Sequence, residues 1–332
     1  MKRFEHFNAK TINEAISLLE KYDGMAKVIA GGTDLIRILK DDILTNYPKA
    51  IINLKTIPGL DYIKEEDGIL KIGALTKLND IATSSLVKSK YNLLAEACRS
   101  VGTPQIRNMG TIGGNLCQDV QCWYYRASKS LGKVFYCLRK GGKVCYAILG
   151  DNRFHSIFGG KGCVAVCPSD VAVALTALGA SIVIKGPSGE RVISINDLYT
   201  EVGIRLNIGD IITEIQIPQL PADAKQAWLK FRLRDSLEFA IVSVGVMLKL
   251  KAEENVCEDA KISLGSVAPM PIRAAKAEEA IWGKTISEET AEIAGRMAVA
   301  EAIPLSHNAY KIAITESLVK KGVLMTSERF MT

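Results

Sequence analysis

The chain reads as an α+β protein, and three observations lead there. Strands and helices alternate across two glycine-rich turns in the N-terminal part. A run of strands followed by a run of helices fills the C-terminal third. Between them lies a stretch, about 117–167, where aromatic, basic and cysteine residues mix without helical or strand periodicity. With 332 residues the chain has room for roughly two domains at about 150 residues each, and 48% hydrophobic residues are enough for real cores.

Taken in order, Thr11 is an N-cap candidate, and the apolar positions of Ile12 to Glu20 follow helical spacing behind it. Ala26 to Ala30 reads as a strand that ends in Gly31-Gly32-Thr33-Asp34, after which Leu35 to Lys40 resumes a helical pattern. Ala50 to Leu54 and Leu70 to Ala74 are strands, and Leu94 to Cys98 is a helix before the second glycine region, Gly110 to Asn115. The cysteine-rich stretch has the pattern of an insertion held by ligands rather than by a core. Order returns with a helix at Asp170 to Leu175, a strand at Ala180 to Lys185, a Gly186 to Gly189 turn and a strand at Ile211 to Ile217. Pro221-Ala222-Asp223-Ala224 is the linker candidate, which divides the chain into 1–220, with parts of about 1–56 and 57–220, and 222–332. The second domain should hold strands at Ala227 to Leu233, Ala240 to Leu250 and Ala260 to Val267, then helices at Pro271 to Ala280, Glu288 to Ala302 and Ala309 to Lys321.

Charge narrows the function classes. The net charge of +6 comes from 42 basic and 36 acidic residues, without a basic block or aromatic-interleaved stripe, so nucleic acid is not an expected partner. No run approaches the apolar length of a membrane span, and the N-terminus opens on mixed charge rather than a signal core, so the expected location is cytoplasmic. Eight cysteines in such a chain should be mostly reduced, and six of them, Cys117, Cys122, Cys137, Cys145, Cys163 and Cys167, crowd into the unpatterned stretch. That favours metal ligation over a disulfide framework.

In both glycine turns the missing β-carbons let backbone N–H groups approach an anion, and a threonine hydroxyl adds a donor; a pyrophosphate is the natural guest. Either turn alone reads better as a tight turn that needs glycine, and it is the pair, each carrying threonine, that shifts the balance toward an anion site. Neither is G-x-G-x-x-G nor a Walker A string.

Ala30-Gly31-Gly32-Thr33-Asp34-Leu35 and the longer Ile106-Arg107-Asn108-Met109-Gly110-Thr111-Ile112-Gly113-Gly114-Asn115-Leu116 resemble the two signatures of the FAD-binding subunit of molybdenum hydroxylases, the xanthine dehydrogenase and carbon monoxide dehydrogenase family. Ile72 to Thr76 and Lys230 to Arg234 extend the resemblance over nearly the whole chain. It implies a two-part FAD-binding domain of the vanillyl-alcohol-oxidase (PCMH) type, followed by a smaller α+β domain of the CO dehydrogenase flavoprotein type that closes over the flavin. The implied cofactor-binding residues are Ile29, Ala30, Gly31, Gly32, Thr33, Asp34 and Leu35 in the first turn, then Ala74, and Asn108, Thr111, Ile112, Gly113, Gly114 and Asn115 in the second. By the same resemblance Asp170 contacts the flavin, Ser100 and Thr103 are polar contacts, and Lys185 and Lys230 touch the cofactor. No side chain stands out as acid, base or nucleophile, as expected where the isoalloxazine does the chemistry.

Most of that family passes directly from the Gly-Gly-Asn turn to the segment matching Pro168-Ser169-Asp170. The extra segment here resembles that of the flavoprotein subunit of 4-hydroxybenzoyl-CoA reductase and of related aldehyde oxidoreductases, where four cysteines hold a [4Fe-4S] cluster. The ligand set this implies is Cys122, Cys137, Cys145 and Cys163, separated by 14, 7 and 17 residues, with Cys167 the rival for the fourth place. Cys117 should pack at the flavin turn, Cys98 and Cys257 read as buried free thiols, and His155 is a further ligand candidate. A four-cysteine zinc site needs the same thiolates, though it usually shows paired C-x2-4-C knuckles. The resemblance places molybdopterin and [2Fe-2S] clusters on partners, a large molybdopterin subunit and a small ferredoxin-like one, with a ferredoxin or other soluble carrier as external donor or acceptor. This chain would move electrons between them. A stand-alone flavin oxidase and a zinc-stapled scaffold are the readings from other classes.

Overall fold

The computed structural model describes residues 1–129, 132, 135–160, 162–235, 237–251 and 254–327. The N-terminal unit is a parallel sheet in the order Glu5–Asn8, Ala50–Asn53, Ala26–Ile29. Parallel neighbours need crossovers. The first is the helix Ile12–Lys21, capped by the Thr11 hydroxyl, which accepts from the Glu14 amide at 3.1 Å. Another is the first glycine turn with the helix Leu35–Lys40 behind it.

A five-stranded antiparallel sheet follows, in the order Ile63–Glu66, Ile69–Gly73, Ile211–Pro218, Ser181–Gly186, Gly189–Ser194. Helices Leu78–Thr83, Ser85–Lys90 and Asn92–Arg99 share its core. The helix Asp170–Ala177 is buried along its entire length, as its all-round apolar sequence requires. It lies between this sheet and the next, and the Ser263 hydroxyl donates to the Val173 carbonyl at 2.7 Å. The C-terminal sheet is antiparallel, Lys225–Phe231, Val242–Lys251, Val256–Gly265, Ile272–Arg273. The helices Ala275–Ile281, Glu288–Ala298 and Tyr310–Met325 share its core. The α+β reading therefore holds, with the strands of the second domain preceding its long helices.

Several boundaries differ from expectation. Pro271 does not begin a helix, because Ile272 and Arg273 pair with Leu264 and Ser263 before the helix starts at Ala275. Among the strands not foreseen are Glu5–Asn8, Ile63–Glu66 and Gly189–Ser194, each at a sheet edge. Charged and polar residues suit edge strands and mask their alternation.

Among its described residues the cysteine-rich stretch contains the short helices Trp123–Arg126 and Tyr146–Leu149 and a 3-10 turn, Leu138–Lys140. Contrary to expectation it has a small core, in which Val120, Tyr125, Cys137, Cys163 and Ala165 pack with Ile38 and Ile43 of the N-terminal unit. It is also bonded to the C-terminal domain. Asn308 donates to the His155 and Ser156 carbonyls at 3.1 and 2.9 Å, and the fully buried Lys311 ammonium donates to the carbonyls of His155 and Ser266 at 3.0 and 2.5 Å. Among the described residues no helix is long and apolar enough to cross a membrane.

Burial pulls the Lys311 amine down to about 7, whereas in the unfolded chain it titrates near 10.4. Above pH 7 the unfolded state therefore binds more protons, and this group's contribution to stability rises with pH until the ordinary lysine range is passed. Urea denaturation of the wild type and Lys311→Met should give a stability difference that grows in favour of the wild type between pH 7 and 10. A difference that stays constant over that range would contradict the assignment.

Candidate functional site

A cavity of about 760 Å³ is walled by both glycine turns, the first residues of the helix Asp170–Ala177, and Lys230, Leu237, Glu238 and Phe239 of the C-terminal domain. Its floor exists because the two turns touch. A β-carbon on Gly31 would stand 2.0 Å from the Met109 carbonyl oxygen, so only glycine admits this backbone contact. Gly32 takes φ +73, a left-handed conformation that glycine adopts at little cost. In the second turn the amides of Ile112 and Gly113 bond to the carbonyls of Thr76 and Ala74, both at 2.9 Å. The Thr111 hydroxyl accepts from the Gly114 amide at 3.1 Å, so it caps the turn.

Two polar residues of the turns are occupied by the protein itself. Asp34 receives the Arg126 guanidinium at 2.8 Å and the Asp119 amide at 2.9 Å, which pins the cysteine-rich stretch to the first turn. Asn115 accepts from the Ser169 hydroxyl at 2.7 Å, and Ser169 in turn caps the helix that Asp170 begins. The C-terminal domain closes the cavity through a buried ion pair. Lys230 meets Asp170 at 2.6 Å, with their side chains 4% and 5% exposed, and also donates to the Ser100 carbonyl at 3.0 Å. Trp228 donates to the Ser100 hydroxyl at 3.2 Å.

Of the residues expected at the cofactor, Ile29 to Leu35, Ala74, Thr111, Gly113, Gly114, Asn115, Asp170 and Lys230 line this cavity. Ser100, Thr103, Asn108 and Ile112 do not: Ser100 anchors the C-terminal strand, Thr103 caps the helix Pro104–Arg107, Asn108 ends that helix and Ile112 is buried in the core. Lys185 does not line the cavity either. It lies exposed on the strand Ser181–Gly186, paired with Glu190 at 3.1 Å and away from the cavity. Glu238 and Phe239 line the cavity without having been foreseen, since nothing in their sequence sets them apart from an ordinary loop.

A second, much smaller cavity of about 20 Å³ is lined by Cys122, Cys137, Cys145 and Cys163 together with His155 and Arg139. Cys167, the rival to Cys163, lines the large cavity instead, as does Cys117. Cys98 and Cys257 are buried in the cores of the first and second domains. The Arg139 Nε–H donates to Cys163 Sγ at 3.2 Å, and His155 Nε2 lies 3.2 Å from Cys122 Sγ. Burial pushes the Cys122 thiol up to about 11, while burial and the Lys311 charge bring His155 down to about 4, leaving its imidazole neutral. Tyr125 and Arg139 line both cavities and so form the wall between them. Among the described residues, no group of three or more His, Cys, Asp or Glu side chains is set to hold a single metal ion.

The Gly31 contact is a direct test of how the floor is built. Gly31→Ala forces the two turns apart and should lower stability by about 1–3 kcal/mol or more through overpacking. Calorimetric unfolding reads this, and a wild-type melting temperature would show that the turns can separate freely.

Comparison with known proteins gives the site its context. Residues 2–220 match the family described as "FAD binding domain in molybdopterin dehydrogenase", and residues 227–326 match the "CO dehydrogenase flavoprotein C-terminal domain". An aldehyde oxidoreductase FAD-binding subunit of Escherichia coli (strain K12) is 31% identical over 95% of this chain and 96% of its own. The glyceraldehyde dehydrogenase medium chain of Sulfolobus acidocaldarius is 30% identical over 86% of this chain and 83% of its own. Among solved structures, carbon monoxide dehydrogenase of Hydrogenophaga pseudoflava superposes with a TM-score of 0.78 at 25% identity, covering 98% of this chain and 97% of that one. With its two glycine turns, a chamber closed by the second domain and matches along nearly its full length, the chain belongs to the FAD-binding, medium-chain subunits of the molybdenum hydroxylase and CO dehydrogenase family and is an oxidoreductase subunit.

Proposed function

We propose that this chain is the electron-transfer subunit of a heteromeric molybdenum hydroxylase or reductase, holding FAD in the large cavity and a [4Fe-4S] cluster in the small one. The observation that carries the cluster is the convergence of four cysteines from a long irregular stretch on one cavity, beside the flavin chamber. A cubane spreads its thiolates over four irons and so sets them farther apart than a zinc ion, whose ligands stand about 2.3 Å from one centre. Cys122, Cys137, Cys145 and Cys163 would be those ligands. The flavin would supply the step between two-electron and one-electron chemistry. This chain's own part is to grip the diphosphate at the glycine turns, to shut out water by the Lys230 to Asp170 closure, and to keep the two chambers one side chain apart.

Substrate chemistry then belongs to partners, a large molybdopterin subunit and a small [2Fe-2S] subunit. The names of the relatives, FAD-binding subunit and medium chain, are those of parts of larger enzymes, which supports this division. An external carrier such as a ferredoxin would exchange electrons with the cluster.

Absorption spectroscopy and metal analysis test the assignment together. The purified protein should carry about one FAD and about four irons per chain. Cys122→Ser or Cys137→Ser should lose the iron and keep the flavin. Zinc in place of iron would overturn the cluster, and a single chain with full turnover in the absence of partners would overturn the division of labour.

A further inference from the structure

We propose that Arg139 and Lys140 are a buried cationic wall that raises the reduction potential of the cluster in the cysteine chamber and so sets how far electrons settle there rather than on the flavin. The inference rests on the cluster reading above and extends it to two residues that no sequence motif singles out.

Both residues are placed by a ligand. Cys137 is followed directly by the 3-10 turn Leu138–Lys140, in which the Lys140 amide bonds to the Cys137 carbonyl at 2.8 Å. Gly141 at φ +82 then reverses the chain, and the Gly142 amide returns to the same carbonyl at 3.0 Å. The turn thus carries Arg139 onto the cysteine chamber, while Lys140 lies behind the lining, against Tyr125 and within electrostatic reach of Cys137 and Cys122.

Their surroundings differ in a telling way. Arg139, its side chain 10% exposed, gives Nε–H to Cys163 Sγ and sets a terminal nitrogen 3.6 Å from Asp119, so a carboxylate partly balances it. Lys140 is 5% exposed, and its ammonium has no hydrogen-bond partner among the described residues. The ammonium lies over the face of Tyr125, with Nζ 5.6 Å from the ring centroid. A buried ammonium without an anion is unfavourable. Four thiolates around a cubane supply that anion: the assembly is negative in both redox states and gains one further negative charge on reduction. A fixed positive charge therefore stabilises the reduced state more than the oxidised one, and the hydrogen bond to Cys163 Sγ acts in the same sense. The redox step would balance within the proposed cofactors: the reduced flavin would give up one electron and one proton, the electron entering the cluster and the proton passing to solvent. Because Arg139 also lines the flavin chamber, it stands between donor and acceptor.

Both are positioning residues, and the test reads a potential rather than turnover. EPR-monitored redox titration of the full protein should give a lower midpoint for Lys140→Met and for Arg139→Gln. We expect at least about a tenfold fall in the equilibrium constant for electron transfer to the cluster, which is about 59 mV for one electron. Lys140→Arg, which keeps the charge, should restore most of it. If Lys140→Met fails to fold, Arg139→Gln reads the same quantity. Full iron content with midpoints unchanged in both variants overturns the wall while leaving the cluster reading intact. Wild-type protein without iron overturns the cluster reading, and the wall with it.

Discussion

The rest of the structure depends on one backbone contact, Gly31 against the Met109 carbonyl. It joins a unit of parallel strands to a unit of antiparallel ones, whose main cores are distinct although Leu75 and Ile211 of the antiparallel unit also pack into the core of the parallel one. The second turn is fixed from behind by ladder-like bonds to Ala74 and Thr76, so the first turn must come to it. A side chain at position 31 would remove that approach, and with it the surface proposed to carry a diphosphate. Glycine here supplies absence of bulk, while at Gly32 it supplies a backbone conformation.

Closure of the chamber uses a more costly device. Lys230 and Asp170 form an ion pair that is almost wholly withdrawn from water, where the desolvation of both groups offsets much of their attraction. Its value is therefore better sought in specificity than in stability. Lys230 finds both a carboxylate at the start of the central helix and the Ser100 carbonyl at the end of another, and only one docking of the C-terminal sheet satisfies both. Ser169 and Asn115 tie that same helix start to the second glycine turn. Flavin floor, central helix and lid are thereby linked through consecutive hydrogen bonds.

How much of this could be read from the sequence follows from the kind of interaction involved. Glycine turns, buried apolar strands and the cap at Thr11 act locally, so their residues carry the signal, and the α+β class and the two turns that floor the cavity were legible. Edge strands such as Ile63–Glu66 were not, because their charged residues obey solvent exposure rather than alternation. Asp34 was legible as a residue of the site but not in its role: its partners, Arg126 and the Asp119 amide, come from a segment with no periodicity. The exposed place of Lys185 was not legible for the opposite reason, since a lysine on a strand has the same local sequence whether it faces a chamber or water. The choice between Cys163 and Cys167 turns on which way four intervening bonds of chain fold, and no spacing rule for an irregular loop contains that.

The cysteine-rich stretch is more than an appendage carrying ligands. It is held at both ends of the molecule, by Asp34 at the first glycine turn and by Asn308 and Lys311 in the C-terminal domain, which fixes its small chamber relative to the large cavity. Between Cys122 and Ala165 it carries eight basic residues and one acidic residue, in a chain whose net charge is only +6. Two of the basic side chains are answered by carboxylates outside that span, Arg126 by Asp34 and Arg139 by Asp119, while the buried Lys140 is not. A segment of this size with a dry centre would ordinarily avoid such an excess of one sign, since each buried cation must be desolvated. The excess becomes intelligible if the missing negative charge sits at the centre, on thiolates and the cofactor they hold, so that the protein is electrically complete only when loaded. On that view the basic residues and the cysteines are one feature, and the positive charge follows from the same requirement that brings the four sulfurs together.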